Sequence, residues 1–352
     1  MTSHRKVTIV VLSYNSRHKL PDCLESVFNS NYPKNLYKVV VIDNNSSDSS
    51  AGYVREKYPQ VKLIVNKKNI GFDAGNNQGY FLAQKQKSDY LVLLNDDTIV
   101  ESNWLRRMVD LSESKKKIGI VQAKLLLYPE KNLINSFGNS IHFLGFGYCD
   151  KYRQENNNRV IEPFEIAYAS GAACIIKMSA LKKTQGLFDD KMFMYHEDLD
   201  LGWRMRLAGY KVMLDPLAVV YHKYNYSKAK YKFYYMDRNR WMVILENYRL
   251  ATLLLILPPL IVMELGIIFF SIKNKWFKEK MKGLGWILLH LPHIIIRRIQ
   301  VQFKVRKVKD REILRFFTGS IRFQEIDNPI LKFVVNPVME LYLWILRKVV
   351  FW

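Results

Sequence analysis

Short β-branched apolar runs alternate with segments of helical period along the first third of the chain. Val7–Leu12 is one such run and ends at the turn Ser13-Tyr14-Asn15. Leu20, Leu24, Val27 and Phe28 then recur at helical spacing, with Pro21 suited to a first turn, which predicts a helix over Leu20–Asn29. Tyr37–Ile42 reads as a second buried strand, Val54–Tyr58 as a helix and Val61–Val65 as a strand. The Gly- and Asn-rich stretch Asn69–Gly79 reads as a loop leading into a helix through Lys87, and Tyr90–Leu94 as the next strand. Apolar runs bounded by polar turns suit strands buried on both faces. Their alternation with helices predicts right-handed βαβ units around a mostly parallel sheet, an α/β fold.

The middle third is less regular. Ile118–Leu127 and Ala172–Lys177 read as strands, Gln154–Asn158 as a polar, mobile loop, and Val212–Leu214 and Ala218–Tyr221 as two short strands leading to His222. Glu197–Leu207 reads as a helix closed near Gly209. No internal repeat occurs. After Tyr234 the composition changes, and residues 1–235 and 236–352 are expected to form a catalytic domain and a basic, apolar helical extension. Leu250–Ile272 is long enough to span a bilayer, but Pro258-Pro259 and Glu264 predict a broken, interfacial or re-entrant element instead. Trp286–Ile296 is a second apolar run, too short to span alone.

Charge sharpens this picture. The 352 residues carry 54 Lys and Arg against 32 Asp and Glu, a formal net charge of +22. From Met236 to Trp352 there are 20 basic and 9 acidic residues, interleaved with Leu, Ile, Phe and Trp. Basic side chains bordering apolar runs suit an anionic membrane surface. No nucleic-acid-binding motif is present, so no nucleic-acid partner is expected. The three cysteines, Cys23, Cys149 and Cys174, lack metal or redox spacing and read as small buried hydrophobes in a reducing compartment. The N-terminus enters its first strand without a long apolar leader, so no secretory signal is expected. Peripheral or monotopic attachment to the cytoplasmic face of the cell membrane is expected, with a full crossing or ordinary soluble packing as the alternatives.

Three acidic patches supply candidate chemistry. Asp43 follows a buried strand in VVVIDNNSSD, where a carboxylate meets a pyrimidine N–H or ribose hydroxyl, or simply forms an Asx turn; Asn45 lies in the same turn. Asn95-Asp96-Asp97 closes the next strand in DXD-like form, and such a pair suits Mg2+ or Mn2+ bound with substrate phosphates, or caps a helix. His222, at another strand end, either completes that metal site or is an ordinary polar residue. Glu197 and Asp198 open a helix, as carboxylates do for the dipole alone, but one of them can also deprotonate an acceptor hydroxyl. Arg204 can bind a diphosphate or pair with those carboxylates. Gly71 and Asn76 belong to the glycine-rich stretch, where backbone can approach a nucleotide, and Gly171 in Ser170-Gly171-Ala172-Ala173 leaves room for a sugar or marks tight packing. The glycine spacing matches neither GxGxxG nor the P-loop, which argues against a dinucleotide cofactor or a phosphate-loop kinase. A nucleotide site, a metal site and a base together are the equipment of a sugar-nucleotide-dependent transferase.

The segments VTIVVLSYN, VVVIDNNSSD, NIGFDAGNNQG, LLNDDT, SGAACIIKMSAL, GLFDDKMFMYHEDLDLGWRMRLAGY and VVYH together resemble family-2 glycosyltransferases, the rhamnosyltransferase-like branch in particular. The resemblance implies a GT-A type, Rossmann-like sheet with flanking helices, a nucleotide-sugar donor, a divalent metal and inversion at the anomeric carbon. It implies Asp43 at the base or ribose, Asp96 near the donor, Asp97 and His222 on the metal, Asp198 as general base and Glu197 shaping the acceptor site. Asp237-Arg238-Asn239-Arg240-Trp241 keeps the Arg-Trp of processive synthases but lacks their Gln, so addition of one sugar is expected. The tail from Tyr235 resembles relatives that act on polyprenyl-diphosphate-linked saccharides. dTDP-rhamnose is the expected donor, ahead of UDP- and GDP-sugars. The rival readings are a polyprenyl-phosphate glycosyl synthase and a non-catalytic membrane-bound nucleotide-sugar sensor.

Overall fold

A computed structural model describes residues 5–224, 230–322 and 329–352. The first four residues, on which the expectation about a leader partly rests, lie outside them. Chain order begins β1 (Val7–Ser13), α1 (Leu20–Phe28), β2 (Tyr37–Asp43), α2 (Ser50–Lys57), β3 (Lys62–Val65), α3 (Gly71–Lys85), β4 (Tyr90–Asn95), β5 (Thr98–Val100), α4 (Trp104–Ser114) and β6 (Ile118–Leu127). It continues through β7 (Ile134–Ser136), β8 (Asn139–His142), β9 (Gly147–Cys149), β10 (Phe164–Glu165), β11 (Ala173–Lys177), α5 (Met178–Leu181), α6 (Glu197–Leu207) and β12 (Lys211–His222). The C-terminal part holds α7 (Lys230–Asn247), α8 (Leu250–Lys273), α9 (Phe277–Leu289), α10 (Leu291–Gln300), α11 (Asp310–Leu314), β13 (Phe317–Thr318) and α12 (Asn336–Val349).

The main sheet is mixed, in the order β10-β12-β6-β11-β4-β1-β2-β3. Its β4-β1-β2-β3 half is parallel, with Ser13 opposite Asp43 and Leu12 opposite Asn95, so the carboxyl ends of β1, β2 and β4 share one rim. β11 enters antiparallel between β4 and β6. β12 is one strand rather than two, irregular between Asp215 and Val219, and β5 pairs with its end so that His222 lies opposite Thr98.

The expected glycine-rich loop is instead the first half of α3. Its glycines let the helix lie directly on β1, since a Cβ at Gly79 would come within 2.4 Å of Val10 Cγ2. The polar segment Gln154–Asn158 is anchored: Asn156 N donates to Asn132 O at 2.8 Å, and buried Lys124 donates to Asn158 Oδ1 at 3.0 Å.

The proline pair does not break the apolar run, and α8 is one helix of 24 residues. Pro259 leaves the carbonyl of Leu255 without its helical donor. Tyr342 Oη of α12 donates to that oxygen at 2.6 Å and restores the bond. Glu264 points inward to a buried cluster in which Lys280 Nζ lies 2.7 Å from Asp237 and Arg240 Nη2 lies 3.1 Å from Asp237, with Glu264 bonded to both cations. The outward face stays apolar: Leu254 is 62% and Phe269 71% exposed, alongside Leu289 at 81% and Phe303 at 83% on neighbouring helical segments. Among the described residues α8 is the one helix long and apolar enough to cross a membrane. On the other side Trp203 of α6 packs edge-on against Tyr248 and Phe317, with centroids 4.7 and 4.6 Å away. The C-terminal helices therefore share a core with α6.

Candidate active site

The rim begins as a polar cradle between the β1–α1 and β2–α2 loops. Asn15 N donates to Ser46 Oγ at 2.9 Å, and Arg17 N to Asp48 Oδ2 at 2.8 Å. Asp43 is buried; Oδ2 accepts from Ser46 N at 3.0 Å, while Oδ1 has no partner. The Asx turn thus engages one carboxylate oxygen and leaves the other without a partner. Asn45 is exposed on the rim with φ +68°. Its neighbour Asn44, which sequence reading passed over, is the structural one: it bonds Asn69 Oδ1 at 2.9 Å, Gly71 O at 3.0 Å and Ile70 N at 3.1 Å.

Asp97 lies across the rim from this cradle. Its Oδ1 is 3.0 Å from His222 Nε2, and its Oδ2 accepts from Lys19 Nζ at 3.3 Å. Burial alone would raise the Asp97 carboxyl, but His222 and Lys19 outweigh it and pull it down to about 2. Burial, reinforced by the Asp97 charge, pushes neighbouring Asp96 up to about 6. Asn135 Oδ1 lies 2.8 Å from His222 Nδ1 and fixes the orientation of the ring, with Nε2 turned to Asp97. Two adjacent ligands about 2.1 Å from one divalent ion lie about 3 Å apart, which is the separation Asp97 and His222 already have. Among the described residues no group of three or more His, Cys, Asp or Glu surrounds one point. The pair fits an ion whose remaining positions are filled by phosphate oxygens and water. Lys19 was not legible as a site residue, because a lysine before a helix carries no signal of its own.

The third patch opens α6. Asp198 is partly exposed; Oδ1 accepts from Leu199 N at 2.8 Å and Oδ2 from Gly171 N at 3.2 Å. Burial raises its carboxyl to about 6, with those N–H groups opposing. Glu197 is buried, Oε2 lacks a partner, and burial and Asp198 hold its carboxyl well above the usual range. A Cβ at Gly171 would meet Phe72 at 3.4 Å and Asp198 at 3.9 Å, so Phe72, Gly171 and Asp198 converge on one spot.

Asp73 was missed as well. It is fully buried in the first turn of α3, both carboxylate oxygens lack partners, and burial together with Glu197 raises its carboxyl far above the usual range. A raised acid contributes its stability below the unfolded-state value, and that contribution is lost as the pH climbs toward the folded value. Asp73→Asn is therefore expected to raise the melting temperature at pH 8 by more than about 2 °C, with the gain shrinking toward pH 4. Thermal melts of both proteins across that range check this.

Other expectations are corrected. Arg204 does not face a diphosphate. It is fully buried, its Nε donates to Asp200 at 2.7 Å, and its other nitrogens donate to the carbonyls of Thr184 and Leu187 at 2.6 Å each. Removing one partner of such a pair costs about 3–5 kcal/mol, so Arg204→Met should melt far below the wild type. Gly71, with φ +90°, is required by packing, because a Cβ there would lie 2.6 Å from Phe193 O. Asn76 is buried and donates to Phe72 O at 2.9 Å within its own helix. Arg240 is fully buried, and its charge is taken up by Asp237 and Glu264. Cys23 and Cys174 are buried, and burial pushes the Cys23 thiol up to about 12.

A sequence model described as "Glycosyltransferase like family 2" matches residues 4–243. The chain belongs to glycosyltransferase family 2. This family-2 enzyme is 24% identical over 245 residues to a probable glycosyltransferase, YdaM, of Bacillus subtilis, covering 67% of the chain and 54% of that protein. It is 26% identical over 216 residues to the N-acetylglucosaminyl-diphospho-decaprenol L-rhamnosyltransferase of Mycobacterium tuberculosis, covering 54% of the chain and 68% of that protein. The chain thus spans about half to two thirds of the length of these relatives. Among solved structures, TarS of S. aureus superposes with a TM-score of 0.55 at 14% identity, over 96% of this chain and 54% of that one. GalNAc-T7 with UDP, GalNAc and Mn2+ gives 0.54 at 16% identity, over 69% of this chain and 48% of that one. The fold of this glycosyltransferase is accordingly GT-A.

Proposed function

We propose that this glycosyltransferase moves one sugar, with inversion, from a nucleotide-diphosphate sugar to a lipid-linked saccharide during surface polysaccharide synthesis. The observation that carries the reading is the placement of Asp97–His222 and Asp198 around one rim beside the Asp43 cradle. Asp43 Oδ1 accepts from the base or ribose. Lys19, 3.3 Å from Asp97, would pair with the diphosphate once Asp97 is otherwise engaged. Asp198 accepts the acceptor hydroxyl's proton as that oxygen bonds to the anomeric carbon and the bond to the diphosphate breaks. Mg2+ or Mn2+ held by Asp97 and His222 would neutralise charge on the departing nucleoside diphosphate. The decaprenol-linked rhamnosyltransferase relative favours dTDP-rhamnose and a polyprenyl-diphosphate acceptor.

The exposed apolar face of α8 with its basic borders favours monotopic attachment to an anionic, cytosolic leaflet. Glu264 points into the protein and not to lipid, which favours lying in the interface over crossing it. Replacing Leu254, Leu265 and Phe269 together by Glu is expected to abolish sedimentation with phosphatidylglycerol vesicles, while the protein stays folded by circular dichroism.

Product analysis tests the reaction. A single added sugar in a glycosidic linkage of inverted configuration is expected; a sugar phosphodiester would mean that a lipid phosphate is the nucleophile, and a polymer would mean processive synthesis.

A further inference from the structure

The segment that delivers Glu197 and Asp198 is strained. Phe193, Tyr195 and His196, all just before α6, have φ +68°. A bulky residue in the left-handed region is strained and persists only where its surroundings enforce it. Here the enforcing groups are two buried neighbours on α7. Asn239 Nδ2 faces the carbonyl oxygens of Met192, Met194 and Tyr195 at 3.0, 2.9 and 2.7 Å. Arg238 Nη2 donates to the carbonyls of Lys191 and Met192 at 2.8 and 2.6 Å, and its Nε donates to Asn239 Oδ1 at 2.9 Å, orienting that amide. The segment in turn caps α3, since Phe72 N donates to Phe193 O at 2.7 Å. Its backbone also occupies the space that a side chain at position 71 would need. One run of carbonyls therefore links the α3 end of the cleft to the α6 end, and Arg238 and Asn239 hold it.

We propose that Arg238 and Asn239 are positioning residues for the transfer step: they lock the Lys191–His196 backbone and thereby aim Asp198 at the acceptor, touching neither donor nor acceptor themselves. This rests on reading Asp198 as the base. Asp43 and Asp97 lie on other strand ends, where Ser46, His222 and Lys19 hold them, so the donor side has supports of its own. The same turn of α7 carries Asp237 and Arg240, whose bonds to Glu264 and Lys280 fix it on α8 and α9.

The test compares wild type, Asn239→Ala, Arg238→Lys and Asp198→Asn as full-length chains. Three quantities are read: UDP affinity with Mn2+ by calorimetry, melting temperature, and release of nucleoside diphosphate from a panel of dTDP-, UDP- and GDP-sugars. Asn239→Ala is expected to lose about 100-fold or more in turnover, the scale of a 1 Å misplacement, with UDP affinity within about twofold. Arg238→Lys keeps a charged donor and is expected to fall between it and wild type. Full turnover in Asn239→Ala overturns the proposal, as does parallel loss of turnover and UDP affinity, which would mark a general structural role. If Asn239→Ala does not fold, Arg238→Lys is judged by the same split. Turnover by Asp198→Asn would instead overturn the assignment of the base, while an inactive Asp198→Asn beside a fully active Asn239→Ala would remove the positioning role alone.

Discussion

Asp198→Asn is expected to lower transfer by on the order of 10²–10⁴-fold, the usual contribution of a general base, while leaving donor affinity close to wild type. The amide has the shape of the carboxylate and can keep an acceptor oxygen for one of the two N–H groups at Leu199 and Gly171. What it loses is proton affinity. The donor cradle is built from other strand ends, so calorimetry with a nucleotide sugar should separate the two effects. The wild-type carboxyl is raised to about 6 by burial. A base acts only when ionised, so kcat should fall as the pH drops below about 6, and that acidic limb should vanish with the residual activity of the variant. Normal turnover by Asp198→Asn would remove the residue from the mechanism.

Asp97→Ala has the second large effect, on binding. Removing this carboxylate leaves His222 alone opposite Lys19 and deletes the only acidic ligand of the pair. Mutating a mere supporting residue of a metal site costs about 10–100-fold in affinity. Loss of a direct ligand should therefore reduce metal-dependent donor binding by about 100-fold or more. The fold itself should hold, because Asp97 is partly exposed and its charge is not part of a core network. Titrating Mn2+ in the presence of UDP by calorimetry checks this; an unchanged isotherm would place the ion elsewhere.

Two of the three acidic patches were readable because each follows a run whose apolar character determines where the strand ends, and the third because carboxylates gather at a helix start. Position at a carboxyl end then does the rest, and the parallel pairing of β1, β2 and β4 brings Asp43 and Asp97 to one rim. Helix α6 was readable to its bounds, since an acidic first turn and a later glycine mark both ends. Three features were hidden. Gly71–Gly79 has loop composition, yet its glycines serve close helix–strand contact, which only tertiary packing reveals. Pro258-Pro259 should break a helix in isolation, but a hydroxyl 83 residues downstream of Pro259, on Tyr342, satisfies the freed carbonyl. The antiparallel sense of β11 has no local signature at all. Arg204 was half legible: pairing with a nearby carboxylate was one of its two readings, while Asp200 as the partner and the carbonyls of residues 184–187 were not in view. Asp73 stood openly in the glycine-rich stretch, and only its burial against Glu197 distinguishes it from a helix-start aspartate.

The most direct test of the account is a thermal-shift screen of the purified protein against dTDP-rhamnose, UDP-sugars and GDP-sugars, each with Mn2+, with Mg2+ and with EDTA. A ligand that binds only the folded state raises its melting temperature. The account predicts stabilisation by one donor, present with either metal and absent with EDTA, and accompanied by slow release of that donor's nucleoside diphosphate. Stabilisation that is equal with and without metal, or none from any donor while the protein melts cooperatively, would contradict it.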